Sequence, residues 1–103
     1  MVALQGFARP YFNGVASRIY VGDGSKAFAV NFPFDVYSFA WVPSLHRCCV
    51  NLCSNGTQTG LQSFVCAQKN ERVTTSAVAR MVVWCDETQT AAVANARGCG
   101  PIS

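Results

Sequence analysis

A chain of 103 residues has room for one domain around one core, and none for a separate regulatory unit. Half of its residues are hydrophobic and only 13% are charged, so apolar side chains beyond the capacity of a small core must meet solvent or a partner. Eight basic residues against five acidic ones give a net charge of +3, and the basic ones stand singly at Arg9, Arg18, Lys26, Arg47, Lys69, Arg72, Arg80 and Arg97, which excludes a basic run suited to nucleic acid; no apolar stretch approaches the ~20 residues that span a bilayer.

The chain opens with MVALQGFARPYF, where no basic segment precedes the apolar residues and Gln5, Gly6 and Arg9 interrupt them. That is not the pattern of a secretory leader, so the expectation is a chain made without one, with VALQGF as an N-terminal strand. Residues 17–34, SRIYVGDGSKAFAVNFPF, set two strand-like runs around Gly22-Asp23-Gly24-Ser25, whose Asp-Gly pair supplies the positive φ that a tight hairpin needs. After that turn Phe28, Val30, Phe32 and Phe34 alternate with Ala27, Ala29, Asn31 and Pro33, a period of two that puts the large residues on one face.

Pro33 has no amide hydrogen, so this strand is expected to end there or to lie at an edge. A second strand follows over residues 36–43, with Tyr37, Phe39 and Trp41 on one side and Pro43 as its stop. Residues 48–53, 61–68 and 76–85 are further strands, separated by the turn-forming SNGTQTG and KNER. Residues 88–97, TQTAAVANAR, form either a short helix on their alanines or a last strand. Short strands at this spacing predict an all-β fold over residues 1–103, a small antiparallel β-sandwich or barrel.

The densest chemistry lies in LHRCCVNLCSNGT, residues 45–57. On a strand Cys48 and Cys49 point to opposite faces, and Cys49 and Cys53 stand about 13 Å apart at ~3.3 Å per residue, too far to share an ion. The chain has no Cys-x-x-Cys pair of the kind that structural zinc sites use, so no metal is expected, and His46 reads as a surface loop residue. Cys48, Cys49, Cys53, Cys66, Cys85 and Cys99 are an even set open to many pairings. Their apolar neighbours suit buried thiols equally well, and Cys99, between Gly98 and Gly100, would clasp the C-terminus. Asn55-Gly56-Thr57 matches a glycan acceptor, but Asn-Gly is foremost a hairpin turn.

No catalytic constellation emerges. Asp23 belongs to a turn, Asp86 and Glu87 diverge on an extended chain, and one histidine among six thiols is no signal of a nucleophile pair. GDGSK lacks the spacing of a phosphate loop and joins two strands. The expectation is a protein that is not an enzyme and has no cofactor. The aromatic residues Phe28, Phe32, Phe34, Tyr37, Phe39 and Trp41, with Ile102 in the tail, are candidates for a subunit interface, and the competing reading for any one of them is plain core.

YVGDGSKAFAVNFPF resembles a pattern in bacteriophage tail-fibre and virion adaptor domains, where Tyr-x-Gly-Asp-Gly-Ser leads into a strand ending Phe-Pro-Phe or Phe-Pro-Tyr. Tyr20, Gly22, Asp23, Gly24, Ser25, Phe28, Phe32, Pro33 and Phe34 carry the match, and the cysteine-rich middle departs from it. The resemblance implies a virion component, either a capsid decoration (cement) protein or a tail-attachment protein. Its partners would be copies of itself, as a homo-oligomer, or a major capsid or tail protein, with neither nucleic acid nor membrane involved. The alternative is a secreted, disulfide-stabilised binding or effector module.

Overall fold

The computed structural model describes residues 2–22, 27–42, 48–54, 61–67, 71–85 and 88–99. Residues 23–26 of the first turn, Pro43, His46, the Asn55-Gly56-Thr57 triplet, Asp86, Glu87 and Ile102 lie outside them. In chain order come β1 (Val2–Arg9), a 3-10 turn (Pro10–Phe12), β2 (Asn13–Ala16), β3 (Tyr20–Gly22), β4 (Phe28–Val42), β5 (Cys48–Cys53), β6 (Leu61–Ala67), β7 (Glu71–Trp84) and α1 (Ala91–Arg97). All the strand pairings are antiparallel and form one seven-stranded sheet in the order β2-β1-β4-β7-β5-β6, with β3 also on β1. The fold is thus all-β with one short C-terminal helix. Among the described residues no helix is long and apolar enough to cross a membrane.

The sheet does not lie flat, because the ladder between its two longest strands slips twice. Asn31 faces Arg80, Val36 faces Val78, and Ser38 faces Thr74, so β4 first runs ahead of β7 and β7 then runs ahead of β4. Such irregularities bend strands and let them pass from one layer to the next. The N-terminal layer holds β1, β2, β3, the second half of β4 and the first half of β7. The C-terminal layer holds the remaining halves of β4 and β7 with β5 and β6.

Contacts across the bend show the layers face to face. The Phe32 ring meets Tyr20 edge-on at 5.4 Å between centroids. A Cβ on Gly6 of β1 would come within 2.8 Å of that ring, so the close approach requires glycine there. One buried core unites Val2 and Leu4 of β1 with Val50 and Leu52 of β5, strands that a flat sheet would hold about 14 Å apart.

Two expectations from the sequence change here. Residues 28–42 form one strand, not two: Pro33 falls between Asn31 and Val36, where the ladder to β7 is interrupted, so its missing N–H removes no ladder bond there. The runs on either side of Gly22-Asp23-Gly24-Ser25 do not pair with one another among the described residues, since β3 pairs with β1. Ser17 directs this. Its Oγ accepts from the Gly6 amide at 3.0 Å and its own amide donates to the Gly6 carbonyl at 2.8 Å, which turns the chain along the edge of β1.

All six cysteines are paired, as Cys48–Cys85, Cys49–Cys66 and Cys53–Cys99. The alternation of β5 explains the first two: Cys48 lies in the core between the layers and is tied to the end of β7, while Cys49 lies on the outer face and is tied to its cross-strand partner on β6. Closing loops of 17 to 46 residues, these bridges each stabilise by about 3–4 kcal/mol in the chain-entropy picture.

The outer face of the C-terminal layer is covered by α1. Thr90 caps the helix, its hydroxyl accepting from the Val93 amide, and Gly98 ends it at φ 56°, where a side chain would be strained. Val93 and Ala94 pack on Val82, Trp84 and Phe64. Seven residues make too short a helix to persist alone, so tertiary contacts hold it. The Asn51 amide, fully buried, donates to the carbonyls of Ala94 at 2.9 Å and Gly98 at 2.8 Å, and its Oδ1 accepts from the Trp84 indole at 2.9 Å. Arg80, also buried, donates from Nε to the Cys99 carbonyl and from its guanidinium to Asn31 Oδ1 at 2.8 Å.

Replacing Asn51 by Ala takes the described partner from the Trp84 indole and the Gly98 carbonyl under the helix, and leaves the Ala94 carbonyl with the Gly98 amide alone. The expected loss is on the order of 3 kcal/mol, a fall of roughly 10 °C or more in Tm by calorimetry. In the untreated, denatured protein no thiol is expected to react with a maleimide, and six are expected to react after reduction, which intact-mass spectrometry reads directly.

Candidate interaction surface

While α1 covers the C-terminal layer, no described element covers the opposite outer face, that of the N-terminal layer. Core residues Leu4 and Trp41 point inward, so their neighbours Ala3 and Val42 point outward. Register then places Val21 beside Ala3 and Ala3 beside Val42, an apolar row across three strands. Val21 is 53% and Val42 45% exposed. Gln5 and Ala40 form the next row, with exposed Ile19 just before β3.

At the far end of this face, about 13 Å along β1 from Ala3, the turn between β1 and β2 folds over the sheet. Ser38 points outward there and holds it: its hydroxyl donates to the Arg9 carbonyl at 2.7 Å and accepts from the Phe12 amide at 2.9 Å. Phe12 packs edge-on against Phe7, at 5.7 Å between centroids. Tyr11 and Phe12 both have positive φ, 59° and 63°, in the left-handed region that bulky residues avoid. Two such residues in succession store about 1–3 kcal/mol each. Gly14 has φ 79°, and a Cβ there would meet the Arg9 Cγ at 2.9 Å, so the Arg9 stem lies across it. The outcome is a tethered turn that presents Tyr11, 75% exposed, with Val15 exposed behind it on β2.

Arg9, where β1 enters the turn, is exposed. Arg18 is exposed as well, but its guanidinium stacks 5.3 Å from the centroid of the Tyr20 ring, which pairs with inward-facing Leu4 and meets Phe32 between the layers, so this charge lies toward the inner side of the sheet edge.

The interface candidates from the sequence are placed elsewhere. Phe39 and Trp41 are buried in the core, where the ladder to β1 turns them inward, and are out of a partner's reach. Phe28, Phe32 and Phe34 are half-buried against the same core. Tyr37, at the second slip of the ladder, is 37% exposed. The aromatic strand therefore builds mainly the interior. Tyr11, Val15, Ile19, Val21 and Val42 went unremarked in the sequence, although Pro10-Tyr11-Phe12-Asn13-Gly14 carries a turn signal with an aromatic pair at its tip.

Among the described residues no group of His, Cys, Asp and Glu is placed to hold a metal ion. No protein-family model, curated protein or solved structure matches the chain.

If the turn stores strain, glycine at position 11 releases it. Tyr11→Gly is expected to raise stability by about 1 kcal/mol, or roughly 4–8 °C in Tm by calorimetry, although it removes a large side chain. An unchanged or lower Tm would show that the left-handed tip is not strained.

Proposed function

We propose that this chain is a non-enzymatic structural subunit of a bacteriophage virion, a capsid decoration (cement) or tail-attachment protein that buries the outer face of its N-terminal layer against other protein subunits. The observation that carries this reading is the uncovered apolar row Val21–Ala3–Val42, which leads to a rigid turn ending in an exposed tyrosine. Apolar patches of this kind on a small soluble fold mark interaction sites. Weak single contacts suffice in such a role, because many copies engage one shell together.

The resemblance of residues 20–34 to virion adaptor domains supports the same reading. So does the disulfide content, which suits a protein exposed to oxidising surroundings, whether on a virion or in a secretion. That content equally favours the second reading, a secreted binding or effector module.

Particles banded on a density gradient from cultures of the source separate the two. On the first reading, mass spectrometry finds the chain in the particles at a fixed ratio to the main shell protein, and Val42→Asp lowers its occupancy at least about tenfold through burial of an unpaired charge. Finding it only in the medium, as a free monomer, supports the secreted module.

A further inference from the structure

We infer that the Cys53–Cys99 bridge is a redox latch: it opens in thiol-rich surroundings and frees α1 as a cover, while Cys48–Cys85 and Cys49–Cys66 go on holding the sheet. The inference does not rest on the reading of the open face, since it concerns the opposite layer and holds in either proposed role.

The three bridges sit in unlike places. Cys49 and Cys66 face each other in the β5–β6 ladder, and Cys49 opposite Trp84 puts Cys48 opposite Cys85 one step on from the β5–β7 ladder. Once reduced, these two pairs of sulfurs stay side by side, because backbone hydrogen bonds keep the strands in register. Their effective concentration stays high, so they close again even against a large excess of external thiol. Cys99 lies in the turn after α1, outside any strand, so the third bridge joins the sheet to a tail that no ladder fixes.

Noncovalent contacts are enough to bring this last pair together and too few to keep it there. Cys53 faces Arg80 in the β5–β7 ladder, so their side chains share the outer face under the tail, and Arg80 Nε donates to the Cys99 carbonyl at 2.6 Å. Asn51, on the same face of β5, holds the carbonyls of Ala94 and Gly98. Arg80 is thus a positioning residue that sets Cys99 over Cys53. Besides these bonds the cover rests on Val93 and Ala94, and a seven-residue helix has no persistence of its own, so it opens locally while the sheet stays intact. Each opening parts the two sulfurs once they are reduced, which lowers their effective concentration and makes this the bridge that external thiols break first. Both cysteines are fully buried when the cover is closed, so exchange waits on that opening.

With glutathione as the thiol, one thiolate attacks a sulfur of the bridge, forming a mixed disulfide and releasing the other cysteine as its thiolate. A second glutathione thiolate attacks the glutathione sulfur of the mixed disulfide, frees the remaining cysteine and leaves as glutathione disulfide. Two electrons pass to the protein, and its two new thiolates take up the two protons that the glutathione thiols gave up. Closing is the reverse, with glutathione disulfide as the acceptor. A chain made among cellular thiols therefore carries its cover unlocked, and leaving them locks it.

The test equilibrates the intact, oxidised protein in mixtures of reduced and oxidised glutathione at one pH, traps free thiols with N-ethylmaleimide and maps the labelled cysteines by mass spectrometry. Cys53 and Cys99 are expected to be labelled at a ratio of squared reduced to oxidised glutathione at least about tenfold below the one that opens either other bridge. In the same samples amide deuterium exchange over residues 94–98 should rise at least about tenfold, while β5 and β7 keep their protection. The double variant Cys53→Ser, Cys99→Ser should show the raised exchange without any reductant. Arg80→Gln should lower the ratio for Cys53–Cys99 severalfold further and leave the other two bridges at theirs, which a general loss of stability would not do.

Loss of all three bridges in one step, or earlier loss of Cys48–Cys85 or Cys49–Cys66, would overturn the inference. So would opening of Cys53–Cys99 with no change in exchange over residues 94–98, since the bond would then lock nothing. A double variant that loses protection in β5 and β7 as well would overturn it too, because the opening would not be local. None of these outcomes touches the open N-terminal face, whose own test is the particle occupancy of Val42→Asp.

Discussion

The double slip between β4 and β7 is the constraint on which the rest of the molecule depends. With a regular ladder these long strands would give a broad, gently twisted sheet with one poorly covered face on each side. The slips put their halves in two layers and so create an interior. Gly6 and Gly22 then let Phe32 and Phe28 close over β1 and β3. Pro33 sits at the break, where its lack of a donor fits an interrupted ladder.

Once two layers exist, their outer faces are treated unequally. The C-terminal layer is sealed by α1, held by hydrogen bonds from Asn51 and Arg80 and by the Cys53–Cys99 bridge. The N-terminal layer has no such cover among the described residues, and its apolar row faces outward. A helix on one side and an open hydrophobic face on the other give the molecule a direction, which a free-standing binding module needs less than a subunit that must sit one way on a larger surface.

Much of the scaffold was legible in the sequence because alternation is a local signal. The even residues from Phe28 to Phe34 did turn inward, and the bounds of β5 matched the expected strand. The opposite orientation of Cys48 and Cys49 followed from the same periodicity. The slips were not legible, since a shift of register depends on which strands pair, and that is settled by contacts some forty residues apart. The role of Asn51 had no local signal, because the carbonyls it serves belong to a helix far along the chain. The exposed face was missed for a related reason: Val21 and Val42 are distant in sequence, and only pairing on both edges of β1 makes them a row.

The bridges also divide the chain mechanically. Residues 48–99 form a covalent net, while the strands before Cys48, which carry the open face and its turn, contain no cysteine. Under a pull between Val2 and Cys99, load passes along the backbone to Cys53 and crosses directly to Cys99, shielding the 46 backbone steps between them. At ~3.5 Å per residue that withholds roughly 160 Å of extension. Stretching can unravel the N-terminal strands, but the disulfide net remains a short, inextensible knot at the end of the tether.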